Sequence, residues 1–296
     1  MASPSTRIPR SVSAAGWLGI GVMGVTSVLA VAAGLWKLLA IGWIAFGAMM
    51  GGAWVGRRAA VGETANGPQQ ARRLVWGYGL ASGAMITSTA VFLIPSAIGH
   101  HAAVGGFGIA AGVLLGFALH VGQHQLAHLP LPFDGATLEL TVHALTAGVV
   151  IGSVYATMPA LGLTLGLAIV SHKGPAGYAA ACRLRRTGRP VSGLLVPAAA
   201  VAATAVPVGL LAIPSVDAVH ALVFGIATGV FLHVALDFLP QCEIGGELME
   251  VAGLAEAGAD AFDEQHHLLD RLRLHAVAST SVGGLLVFVA WWAVAG

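Results

Sequence analysis

The 296-residue chain is 57% hydrophobic and 9% charged, with a mean hydropathy of +0.84; soluble domains carry roughly 25% charged residues, so an ordinary soluble fold is excluded. The formal net charge of +1 provides no basic footprint for nucleic acid. The two cysteines, Cys182 and Cys242, have no CxxC or ligand-like spacing, which excludes a disulfide framework and suits apolar filling.

Runs of about 20 apolar residues, long enough to cross a hydrocarbon core, fall at 14–35, 38–56, 75–98, 103–125, 137–158, 160–182, 191–213, 216–239 and 274–295. They predict an all-α integral membrane protein, a single polytopic bundle of about nine transmembrane helices over residues 1–296. The first run is too long for a cleavable signal peptide and reads as a signal anchor. Glycine, at 41 residues, suits helices in close contact. The acidic loop 243–273 is the one sizeable polar insertion.

The basic residues orient this chain. Arg7 and Arg10, Arg57, Arg58, Arg72 and Arg73, Arg183, Arg185, Arg186 and Arg189, and Arg271 and Arg273 all fall on one side of nine spans. Lys37 falls on the other side and Lys173 within a span. The positive-inside rule then predicts a cytoplasmic N-terminus and an outer C-terminus. No transit segment precedes the spans, so the expected setting is the plasma membrane.

Polar side chains inside spans cost about 2.5–3.5 kcal/mol each when charged at the bilayer centre, so those present need a reason. They are His143, His172, Lys173 and His233, with Glu139 and Asp237 nearer the ends; Thr87, Ser88 and Thr89 add hydroxyls, which in membrane helices usually bond their own backbone. A lone intramembrane histidine reads equally as a packing residue or a functional one. Glu139, His143 and Ala147 share one helix face, as do His172 and Ala176. With the fifth span running outward and the sixth inward, His143 and His172 can face each other near mid-membrane. Two imidazoles alone make a weak site, because divalent ions usually take carboxylates or thiolates as well.

"VHALTAGVVIG" (142–152) followed by "VSHKGPAGYAAACRL" (170–184) resembles the paired metal-binding helices of the Zrt/Irt-like (ZIP) divalent-metal transporters. His143 through Gly148 and His172 through Gly177, with Pro175 in register, match that pattern except at its glutamates. "GLASGAMITSTAVFLIPSA" (79–97), "VSGLLVPAAA" (191–200) and "FGIATGVFLHVALDFLPQCE" (224–243) are similar to further spans of the family, in the same order. The resemblance covers 37–296 and makes 1–36 an extra N-terminal helix. It implies a transporter of a divalent cation, zinc first, working by alternating access toward the cytoplasm, without a resident cofactor and with a homodimer left open.

The departures are specific. Where the resemblance implies bridging glutamates, this chain has Ala147, Ala176 and Val196; a further ligand position is Lys173, and Phe92 and Ser96 replace polar residues of the early span. An ammonium repels a neighbouring divalent ion strongly in a low-dielectric site. Two readings follow. In one, a reduced site on His143 and His172 binds the metal, with Glu139, His233 or Asp237 as weaker candidates. In the other, the chain is a ZIP-like binding or regulatory protein and Lys173 stands in place of the second metal. The counter-charge expected for that lysine is Asp237 or a helix C-terminus; snorkelling toward the cytoplasm is the bland alternative.

His120, His124 and His128 recur at i, i+4 and i+8, a chelating spacing that suits cytoplasmic capture of an ion or merely an interfacial helix end. His100 and His101 follow the third span, where a solvated loop is the favoured reading over an ion-collecting entrance. The stretch 243–275 adds His266, His267 and His275 and suits an amphipathic helix under the bundle. The spacing His120–His124 also fits a membrane di-iron oxidase, but the further clustered histidines such enzymes need are missing. No HExxH, GxSxG, P-loop or dinucleotide fingerprint indicates an enzyme.

Overall fold

The structure, a computed structural model, describes residues 12–59, 67–127, 135–158, 172–212, 214, 216–240, 242 and 262–295. Its described regular structure is helical, with no strands. The helices are α1 (Ala14–Ala32), α2 (Trp36–Ala59), α3 (Pro68–Ser88), α4 (Ile94–His100), α5 (Ala102–Ala127), α6 (Gly135–Thr157), α7 (Lys173–Arg186), α8 (Leu195–Gly209), α9 (Asp217–Asp237) and α10 (Phe262–Ala295). A π-helical turn, Thr89–Leu93, joins α3 to α4 into one span of 33 residues.

Among the described residues eight such segments are long and apolar enough to cross a bilayer, so the chain is a multi-pass membrane protein. Residues 160–171 of the expected sixth span lie outside the described residues, and 173–182 fall within α7. Arg7, Arg10, His128 and the acidic residues 243–261 also lie outside them, as do the side chains of His124 and Glu139. The last helix begins at Phe262, well before the apolar run at 274–295.

Local chemistry sets the helix ends. Ser13 Oγ accepts from Gly16 N–H at 3.2 Å and caps α1. Two helices end on glycines in the left-handed region, Gly34 (φ 70°) after α1 and Gly188 (φ 68°) after α7. In each the next N–H reaches back to a carbonyl of the last turn, Leu35 to Ala30 and Arg189 to Leu184, both at 2.8 Å. Pro68 and Pro175 stand in first turns, where a missing N–H removes no helix bond.

The bundle is apolar on its outer surface as well as inside. Side chains such as Trp17, Phe107, Leu114, Leu285 and Trp292 point outward, where lipid receives them, while alanines and glycines fill the interior. The main partnerships are α5 with α9, α3 with α10, α6 with α8, and α2 with α7. A seam of small residues brings α5 and α9 together in parallel: a methyl at Gly108 or Gly112 meets the α9 backbone around Gly225 and Gly229. A central apolar cluster joins Ala144, Ala147 and Ile151 of α6 to Ala200, Val201 and Ala205 of α8 and to Phe224 and Phe231 of α9.

One end of the bundle collects the described arginines. Gln70 Nε2 donates to Tyr178 Oη and to Cys182 Sγ, both at 3.4 Å, and Trp76 Nε1 donates to His275 Nδ1 at 3.3 Å. Gly56 lies against Tyr178 and Ala181. These contacts hold the end of α2, the start of α3, the end of α7 and the start of α10 together, and with them the segments bearing Arg57, Arg58, Arg72, Arg73, Arg183, Arg185, Arg189, Arg271 and Arg273.

Candidate metal centres

His143, two turns into α6, and His172, at the threshold of α7, meet in the interior. Their Nε2 atoms are 3.1 Å apart and their ring planes cross at 65°. For that contact to be attractive, one Nε2 carries the proton and the other accepts it. His172 is fully buried, and its carbonyl accepts from Ala176 N–H at 3.0 Å, which anchors it to the helix. Phe238 closes one side, its ring 6.1 Å from His143 and 6.0 Å from His172, and Tyr78 stands edge-on to Phe238 at 6.0 Å.

The separation suits a metal as well as a proton. Zinc–imidazole bonds of about 2.05 Å at tetrahedral angles place two ligand nitrogens about 3.3 Å apart. An ion would replace the shared proton with little movement of either helix, and binding would release that proton.

The surroundings are poor in further donors. Ala147 is buried in the central apolar cluster, Ala176 is buried and Val196 is half-buried. Lys173, beside His172, is 1% exposed and among the largest fully buried side chains. The ion pairs of the described residues do not include it. The expected counter-charges differ from what is found. Lys173 opens α7, at the positive rather than the negative end of a helix dipole. Asp237 turns instead to two histidines, because one of them sits a single helical turn before it.

Those histidines are His120 and His233. Asp237 Oδ2 lies 3.3 Å from His120 Nδ1 and 3.2 Å from His233 Nε2, and all three ligand atoms lie within 4.8 Å of one another. Gly116 makes the arrangement feasible: a methyl there would sit 2.9 Å from the His233 ring. His233 Nε2 is buried and its contact with the carboxylate lacks hydrogen-bond geometry, whereas His120 and Asp237 reach the surface. Two imidazoles and a carboxylate with an open side form a donor set suited to zinc or ferrous iron. The weaker candidates His233 and Asp237 and the peripheral His120 therefore meet each other rather than the central pair.

A third group lies at the opposite end of α9. His100, the last residue of α4, places Nδ1 3.3 Å from Asp217 Oδ1, and its ring is 5.0 Å from that of His220. Ligand atoms of the three lie within 4.8 Å of one another. His101 does not join them; its Nδ1 accepts from Val104 N–H at 3.4 Å, at the start of α5. Asp217 and His220 escaped the sequence reading. The available signal was their i, i+3 spacing at the start of an apolar span, mirrored by His233 and Asp237 at its end.

The hydroxyls of the third span serve their own helix: Ser88 donates to Ala84 O at 2.7 Å and Thr89 to Met85 O at 2.8 Å. Comparison of the sequence with protein-family models and with curated proteins returns no match.

Proposed function

We propose that this chain is a ZIP-like membrane protein that carries a divalent transition-metal cation, zinc first, across the plasma membrane toward the arginine-bearing end of the bundle. The observation that carries the reading is the group His120, His233 and Asp237, three donors from two helices with their ligand atoms within 4.8 Å of one another. Asp237 adjoins Phe238, whose ring contacts both members of the pair His143 and His172. The better-equipped group thus includes the residue that precedes, in the chain, the ring beside the pair. Alternating access would open the pair to either side in turn, with the three-donor group receiving the ion. By the distribution of arginines, the receiving side is the cytoplasm.

A second reading is favoured by Lys173. A buried lysine beside His172, with alanines where carboxylates would bridge two ions, suits a binding or regulatory protein that holds metal without carrying it.

The discriminating experiment is zinc uptake by the purified protein in liposomes, beside empty vesicles and His120→Ala/His233→Ala. Uptake above the empty vesicles that falls in the variant supports transport. Uptake equal to that of empty vesicles, with metal still bound to the protein, supports the second reading.

A further inference from the structure

We infer that His100, Asp217 and His220 form a separate binding site for a first-row divalent cation such as zinc, cobalt or ferrous iron. The site joins the end of α4 to the first turn of α9, about 20 Å along α9 from His233. It stands whether or not the chain transports metal.

Donor chemistry comes first. Two imidazoles and one carboxylate select borderline transition ions over calcium or magnesium, which prefer all-oxygen sites. The 3.3 Å between His100 Nδ1 and Asp217 Oδ1 matches the ligand–ligand edge of a tetrahedral zinc centre, and each of the three residues offers a ligand atom within 4.8 Å of those of the other two.

Burial adds an independent observation. His220 is 8% exposed, and its Nε2 is buried with no hydrogen-bond partner. Leaving a buried polar group unsatisfied costs about 1–3 kcal/mol, a cost that a bound ion at this ring would offset. The neighbouring rings are fixed in advance. His100 stacks on the buried Phe224 at 6.2 Å with planes 27° apart, and meets His220 edge-on. The α4 segment that carries His100 is seated against both α5 and α9. Preorganised ligands lose little entropy when an ion arrives.

Access and charge agree. The Asp217 side chain is 77% exposed, so an ion reaches the group from water without entering the bundle. The positive end of the α9 dipole opposes a cation there, and the Asp217 carboxylate in the same first turn offsets it. A bound ion would tie α4 to α9.

The test is cobalt binding to the full-length protein in nanodiscs, read as ions bound per chain and as visible absorption. Wild type is compared with His220→Ala and, at the exposed position, Asp217→Asn, which removes a charge without opening a cavity. Each variant should lose one bound ion, or weaken that ion's binding beyond the roughly 10–100-fold that loss of a mere outer-shell partner costs. The same ion should persist in His120→Ala/His143→Ala/His172→Ala/His233→Ala. Should His220→Ala fail to fold, Asp217→Asn and His100→Gln decide. Unchanged cobalt stoichiometry and affinity in the folded variants would overturn the site. Failure of transport with this ion retained would count against the proposed function alone.

Discussion

His143 Nε2 stands 3.1 Å from His172 Nε2, across 29 positions of sequence. Each ring is thus a polar partner of the other, and removing either one takes that partner from its neighbour. Residues that act as one unit give non-additive losses. His143→Ala and His172→Ala should each cut zinc uptake in liposomes by about tenfold or more, and the double variant should be no worse than the poorer single. Losses that multiply would show two independent roles.

Lys173, next to His172 in the chain, has 1% of its surface exposed. A charge in a span costs about 2.5–3.5 kcal/mol, so Lys173→Met, similar in length and neutral, should stabilise the protein by up to about 3 kcal/mol and raise its melting temperature. The same change removes a repelling charge and should tighten zinc binding at His143 and His172. Lys173→Asp should go further and admit a second ion. Thermal unfolding and metal content of the three proteins check this; a lower melting temperature for Lys173→Met, with no gain in affinity, would refute the tethered-cation role.

Gly116 bears on the three-donor group without being a ligand. A methyl at that position would lie 2.9 Å from the Cβ and Cδ2 of His233. The ring would have to shift, since real Cβ atoms essentially never approach so closely, and its Nε2 would leave Asp237. Gly116→Ala should weaken cobalt binding at His120, His233 and Asp237 while leaving the His100, Asp217 and His220 ion in place. An unaltered cobalt spectrum would show that the ring tolerates the methyl.

Cys242, beyond the end of α9, is buried beside Leu269 and Leu272. Burial pushes its thiol pKa up, with Arg273 opposing more weakly. The thiolate is the reactive form, so Cys242 should label with maleimide far more slowly at neutral pH than a free thiol, and more quickly as pH rises or as the protein is denatured. Rapid labelling in the native state would place Cys242 in a different environment.

The membrane class was legible because a hydrocarbon solvent imposes a length and an apolar composition on each span, and both are local properties of the chain. The glycines that end α1 and α7 were present in the sequence too, but their left-handed geometry belongs to the folded turns. The nearness of His143 and His172 was legible for a related reason: the expected fifth and sixth spans run in opposite directions, which puts both histidines toward mid-membrane.

The other two groups were not legible. His120 and Asp237, and likewise His100 and Asp217, are 117 positions apart. They meet only because α5 lies parallel to α9 along a glycine seam and α4 is seated on both. Spacing along a helix tells which face a side chain occupies. It does not tell which of the other helices that face will meet, since small residues make nearly every apolar face a candidate neighbour. Composition and spacing by themselves therefore determined a helical membrane protein with histidines and acids held inside its spans. Only the tertiary structure decided which of them share a site, because that choice rests on the close backbone approach of particular helix pairs.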